Sequence, residues 1–150
     1  MEAPKHTVLL IEDNADDEAL SMRAITRCGV PCQVEVIRTG ADALLEMLSQ
    51  NTKPDLVLLD FHLPGLNGLQ ILQELRRRGA THDVPIVMFS CLQSSKEVSE
   101  CLSEGASSFV RKPNDPTDYT ENLKLTVRYW LAVDTRPAQL ERHSRELTLN

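Results

Sequence analysis

Residues 54–60 read Pro-Asp-Leu-Val-Leu-Leu-Asp. Four consecutive apolar residues leave no alternation, so neither face of this segment is written for water. A run this short, opened by a proline and closed by a carboxylate, reads as a strand covered on both sides. The pattern recurs. Thr7-Val8-Leu9-Leu10-Ile11 leads into Glu12-Asp13, Pro85-Ile86-Val87-Met88-Phe89 into Ser90, and Ser108-Phe109-Val110 into Arg111-Lys112-Pro113. Residues 33–38 are wetter, with Val34, Val36 and Ile37 among polar neighbours, and suit the edge of a sheet.

Helical spacing fills the gaps between strands. Leu20, Ala24, Ile25 and Cys28 precede Gly29; Ala41, Leu44, Leu45 and Leu48 fall on one face; Leu69, Leu72 and Leu75 precede Gly79. Val98, Cys101 and Leu102 precede Gly105, and Leu123, Val127 and Trp130 follow Pro116. Apolar residues three and four apart mark helices with one covered face, and glycine suits their ends. Strict alternation of five strands and five helices predicts an open, doubly wound parallel α/β sheet. A (β/α)8 barrel needs roughly 200 residues or more, and the chain has 150. Residues 1–133 read as one domain. Residues 134–150 are polar, lose the rhythm, and read as a loosely held tail.

Hydrophobic residues at 41% and charged residues at 25% exclude a wholly disordered chain. No apolar run approaches the ~18 residues of a membrane span, and residues 1–6 carry no apolar secretion core, so a cytoplasmic chain is expected. The net charge is −6, and Arg76-Arg77-Arg78, the sole basic triplet, reads as a solvated helix end. Nucleic acid and membrane are therefore not expected partners. Cys28, Cys32, Cys91 and Cys101 form no CxxC or zinc-finger spacing, so reduced thiols are expected, with Cys28 and Cys101 in packing roles.

Polar residues stand where the apolar strands stop: Glu12-Asp13, Asp60, Ser90 and Lys112. In an open α/β sheet of order 2-1-3-4-5, strands 1 and 3 flank the switch point, and ligands bind beyond the carboxyl ends. Each residue alone has an ordinary reading: Asp13 or Asn14 as a helix cap, Asp60 with Leu63-Pro64-Gly65 as a turn, Ser90 as a turn hydroxyl, Lys112 as a surface charge. Together they demand more. Two carboxylates 4 Å apart repel by about 4 kcal/mol at an effective dielectric of 20. A hard divalent cation relieves that repulsion, and Mg²⁺ with few protein ligands recruits phosphate oxygens. Lys112 adds a point charge and Ser90 a donor. The set suits a phosphoryl group on or near a carboxylate.

These residues, with Leu58-Leu59-Asp60 ahead of Leu63-Pro64-Gly65-Leu66-Asn67-Gly68 and with Lys112-Pro113, resemble a response-regulator receiver domain over residues 5–133. The resemblance implies a flavodoxin-like five-stranded sheet with five helices. It implies phosphorylation of Asp60 by a histidine kinase, and Mg²⁺ held by Asp13, Asp60 and the His62 carbonyl, with Glu12 acting through water. It further implies Lys112 on the phosphoryl oxygens, Ser90 swinging inward, Phe109 as the aromatic switch, and a cis Lys112–Pro113 bond. Such a chain is a phosphoacceptor, not an enzyme in the ordinary sense. His62 and Leu92, two residues after Asp60 and Ser90, would border the path of the hydrolytic water. Two other classes share parts of this pattern. An FMN carrier shares the fold, but the acidic loop Glu12-Asp13-Asn14-Ala15-Asp16-Asp17 would repel its phosphate. An aspartate-based phosphatase shares the nucleophile but needs a second acid near Asp60.

No DNA-binding or enzymatic segment is expected after residue 133, so the output is expected to be protein contact or phosphate relay. In the last helix Leu125, Tyr129 and Val133 form a second apolar stripe, about 200° from the stripe of Leu123, Val127 and Trp130 at 100° per residue. That stripe is expected to pair two copies as a homodimer. Asn14-Ala15-Asp16 and Arg128-Tyr129-Trp130-Leu131 resemble single-domain regulators paired with bacterial phytochrome kinases.

Overall fold

The computed structural model describes residues 5–49, 53–78, 81–91 and 94–134. Five strands alternate with five helices: β1 His6–Ile11, α1 Ala15–Thr26, β2 Cys32–Ile37, α2 Gly40–Leu48, β3 Leu56–Leu59, α3 Gly68–Arg77, β4 Ile86–Ser90, α4 Ser95–Ser103, β5 Ser108–Arg111 and α5 Pro116–Arg128. A single π turn, Tyr129–Val133, continues α5. All pairings are parallel, in the order β2-β1-β3-β4-β5. The doubly wound sheet expected from the alternation is the one observed, with β2 at an edge.

Side chains on a strand point alternately to opposite faces, so each unbroken apolar strand feeds two cores. Leu9, Ile11, Val57, Leu59, Ile86 and Met88 pack with α2, α3 and α4 through residues such as Ala43, Ile71, Leu72 and Cys101. Val8, Leu10, Leu56, Leu58, Val87 and Phe89 pack with α1 and α5 through Ala24, Ile25, Tyr119, Leu123 and Val127. Each fully buried Leu, Ile or Val contributes roughly 1.5–3 kcal/mol relative to exposure. That is why β1, β3 and β4 hold the middle of the sheet.

Local chemistry sets the helix starts. Asn14 caps α1, its side chain accepting from Asp17 N. Asn67 and Gln70 form a reciprocal box at α3, as Ser94 and Glu97 do at α4. Pro116 stands in the first turn of α5, where its missing N–H costs nothing.

Four expectations need correction. In α2 the covered side chains are Ala43, Leu44 and Met47; Ala41 is exposed and Leu45 is 67% exposed, because the helix is turned toward α3. Leu102 of α4 is also largely exposed. Arg76 is no solvated helix end. Its guanidinium donates to the carbonyls of Gly105, at 2.9 Å, and Thr81, pinning α3 to the segments before β4 and β5, whereas Arg77 and Arg78 are exposed beside Glu74. The Lys112–Pro113 bond is trans, the isomer that X–Pro bonds favour by about 0.5–1 kcal/mol. Gly79, Leu92 and residues 135–150 lie outside the described residues.

Candidate functional site

The sheet ladder itself assembles the site. Beyond the strand ends Glu12 N donates to Ile37 O at 2.9 Å, Asp60 N to Ile11 O at 3.1 Å, and Lys112 N to Ser90 O at 2.6 Å. The first residues past β1, β3 and β5 therefore stay in register and emerge side by side. The turn after β3 needs Gly65, whose φ of +76° suits a residue without Cβ. Gly68 then brings α3 against the chain at Asp60. A Cβ there would lie 2.4 Å from Asp60 O and 2.7 Å from Phe61 Cα.

Asp60 is buried, and Ser90, His62 and Lys112 all donate to it. Ser90 Oγ donates to Oδ1 at 2.8 Å, His62 N to Oδ1 at 3.1 Å, and Lys112 Nζ to Oδ2 at 3.0 Å. Ser90 thus already points at the carboxylate, the direction in which the resemblance implies it would swing. Lys112 Nζ also donates to Glu12 Oε1 at 2.5 Å and to Asp17 Oδ2 at 2.9 Å, and lies 5.9 Å from the centre of the Phe89 ring. Carboxylate oxygens of Glu12, Asp13 and Asp60 all lie within 4.8 Å of one another, with Asp13 exposed and the other two buried.

The electrostatics follow from this crowding. Burial lifts the Glu12 carboxyl to about 7, helped by its hydrogen bond with Asp60 and opposed by Lys112. Burial would lift Asp60 too, but the Lys112 charge and the hydrogen bonds with Glu12, Ser90 and the His62 amide outweigh it and hold Asp60 below its usual range. Burial also works against the charge on Lys112, yet Asp60 and Glu12 raise it above the usual lysine range. Of the two, Glu12 has the raised proton affinity and Asp60 the lowered one. Four carboxylates, counting Asp17, face one ammonium, an all-oxygen donor set short of positive charge. That donor set fits a hard divalent cation.

The other expected residues stand apart. Phe109 is half-buried on β5, opposite Met88 in register, against the core under α3 and α4. The His62 ring is exposed and meets Phe61 edge-on at 5.3 Å. Leu125, Tyr129 and Val133 lie on the outer side of α5 and its π turn, 65%, 47% and 63% exposed. The covered side of this segment runs through Leu123, Val127 and Leu131, with Trp130 half-buried.

Sequence reasoning missed Asp17 as a partner of Lys112, and Tyr119. The Tyr119 hydroxyl lies 2.8 Å from Ser21 Oγ and donates to Asp17 O at 3.2 Å, tying α5 to α1 beside the site. The signal for Asp17 was its place four residues after Asp13, one helical turn on, but its neighbours Asp16 and Glu18 offered the same charge.

Residues 8–124 match the response regulator receiver domain. The phosphate regulon transcriptional regulatory protein PhoB of Pseudomonas aeruginosa is 30% identical over 122 residues, 81% of this chain and 52% of that protein. The probable methanogenesis regulatory protein FilR2 of Methanothrix harundinacea is 29% identical over 134 residues, 87% and 86% of the two chains. The chain spans about half the length of curated relatives such as PhoB. Among solved structures, a response regulator from Hahella chejuensis is 37% identical with a TM-score of 0.79, covering 87% of this chain and 98% of that one. The phosphorylated cyanobacterial phytochrome response regulator RcpA has a TM-score of 0.84 at 24% identity, and the Mn²⁺-bound form of response regulator Rcp1 0.82 at 22%. Each covers 89% of this chain and is itself covered to 99%. At those two identities the likeness is one of fold.

Proposed function

We propose that this chain, which belongs to the response regulator receiver domain family, takes a phosphoryl group from a histidine kinase onto Asp60 and passes the signal on by protein contact or relay. The observation that carries the reading is Asp60 itself. It is a buried carboxylate with donors from Ser90, His62 N and Lys112 on its two oxygens, next to Glu12 and Asp13.

An oxygen of Asp60 forms the new O–P bond as the P–N bond of the phosphohistidine breaks, the bonding pair leaving with the imidazole. Such a transfer needs alignment and charge neutralisation more than proton transfer. Asp13, Asp60 and the His62 carbonyl are the residues that would hold Mg²⁺, with Glu12 through water. The ion would neutralise charge on the phosphoryl oxygens. Lys112 supplies a positive charge and Ser90 a hydroxyl donor to the same oxygens. Phe109 follows Ser90 as the switch.

The reading extends to a cytoplasmic regulator with residues 1–133 as the receiver. Resemblance of Asn14-Ala15-Asp16 and Arg128-Tyr129-Trp130-Leu131 to phytochrome-paired regulators, and the fold likeness to RcpA, support a phytochrome-type kinase as donor. The exposed stripe Leu125, Tyr129 and Val133 supports a homodimer through the last helix.

The test is transfer from a panel of histidine kinases, a light-sensing one included, with intact-mass and peptide analysis. One phosphoryl group on Asp60 from a cognate kinase is expected. Label on another residue would overturn the assignment of Asp60, and rapid transfer from a kinase unrelated to light sensing would overturn the phytochrome link.

A further inference from the structure

Lys112 has three ammonium protons, and all three are spent: on Glu12 at 2.5 Å, Asp17 at 2.9 Å and Asp60 at 3.0 Å. An acid in the first turn of a helix is ordinarily explained by the helix dipole. Asp16 and Glu18 satisfy that explanation too, Glu18 pairing with Arg38 at 2.7 Å. Asp17 does something else. Its amide is held by Asn14 Oδ1 at 2.9 Å and its carbonyl by the buried Tyr119 hydroxyl at 3.2 Å, so its backbone is fixed from both sides while its carboxylate reaches Lys112.

The three acceptors differ in how readily they can release the ammonium. The side chains of Glu12 and Asp60 are 2% and 8% exposed, and that of Asp17 is 28% exposed. A buried carboxylate that loses its counter-charge has no water to replace it, whereas one at the rim is rehydrated. We propose that Asp17 is a positioning residue that competes with the phosphoryl group for Lys112. At rest it accepts one ammonium N–H and draws Lys112 toward α1; a phosphoryl oxygen on Asp60 accepts that hydrogen bond instead when Asp17 lets go. The inference rests on the reading of Asp60 as phosphoacceptor and adds to it the residue that sets the availability of Lys112.

The test compares Asp17→Asn with Asp16→Asn, which removes the same charge from the same helical turn without touching the Lys112 contact. Calorimetric titration with Mg²⁺ alone and with beryllofluoride in saturating Mg²⁺ separates the metal from the phosphoryl mimic. Asp17→Asn is expected to bind beryllofluoride about fivefold more tightly than wild type, the size of a partly exposed ion pair, and Mg²⁺ alone no more tightly. Asp16→Asn is expected to match wild type within about twofold in both. Asp17→Glu, which keeps the carboxylate, is expected to return the beryllofluoride affinity toward wild type. Equal affinities in Asp17→Asn and Asp16→Asn, or weaker beryllofluoride binding in Asp17→Asn, would overturn the proposal while leaving a wild-type protein that is still phosphorylated. A wild type that binds no beryllofluoride and takes no label would overturn the receiver reading, and this inference with it.

Discussion

Lys112 Nζ donates to Glu12 Oε1 at 2.5 Å across one hundred residues of sequence, and both side chains are almost wholly buried. Such a pair is held less by mutual attraction than by the cost of breaking it. Removing Lys112 leaves Glu12 and Asp60 with little water to solvate their charge. The contact joins the ends of β1 and β5, which are not neighbours in the sheet, across the end of β3 where Asp60 stands.

Lys112→Met should therefore be strongly destabilising in metal-free protein, by about 3–5 kcal/mol near pH 8. The loss should shrink near pH 6, where Glu12 holds a proton. Urea unfolding at both pH values measures it, and equal losses would contradict the role given to Glu12.

Asp60→Asn should keep the fold, because the amide oxygen still accepts from Ser90 and the His62 amide. Labelling by acetyl phosphate with Mg²⁺ should drop to background, since a neutral amide is no nucleophile here. Undiminished labelling of the variant would place the phosphoacceptor elsewhere.

The pH dependence has a defined sign. The folded Glu12 carboxyl, at about 7, lies above its ordinary 4.5. Its contribution to stability is complete below the ordinary value and is lost as pH rises through about 7. Asp60, held low, contributes above its ordinary 3.8 and loses that contribution as pH falls through its folded value. The urea midpoint of metal-free protein should thus decline between about pH 5 and 8. Glu12→Gln should flatten that slope. A variant with the wild-type slope would remove Glu12 as its source.

Gly68→Ala should disturb the site from behind. The new Cβ would meet backbone atoms of Asp60 and Phe61 at 2.4 and 2.7 Å, and backbone cannot swing aside as a side chain does. A loss of about 1–3 kcal/mol is expected from overpacking, together with slower labelling of Asp60. A variant as stable and as quickly labelled as wild type would show the loop to be more compliant than this contact implies.

Leu125→Glu and Tyr129→Glu alter exposed positions of the α5 stripe, so stability should change by no more than about 0.5 kcal/mol. Sedimentation should show wild-type dimers and monomeric variants, with and without beryllofluoride. A wild type that sediments as a monomer in both conditions would remove the dimer.

Much of the molecule was legible in the chain because the strands are unambiguous. Leu56-Val57-Leu58-Leu59 is covered on both faces, and such a run between helical segments suits the inside of a parallel sheet. The strand-end residues were legible for a related reason. A carboxylate directly after a buried run must leave the sheet at its carboxyl end, wherever the rest of the chain goes. Helix faces were read less well. Leu45 and Leu44 are equally apolar, and only the packing of α2 against α3 decides which is covered. Arg76 resembled its two basic neighbours until the fold brought the Thr81 and Gly105 carbonyls within its reach.

Periodicity and the points where apolar runs stop were enough to set the class of fold, the covered strands, and the identity of the acids, hydroxyl and lysine at their ends. The packed fold was needed to show that Lys112 divides its hydrogen bonds among Glu12, Asp17 and Asp60, that Ser90 already faces Asp60, and which side of each helix meets solvent. Those outcomes depend on distances between segments far apart in the chain. A charge acquires its partner, its burial and its proton affinity when folding removes the water between them.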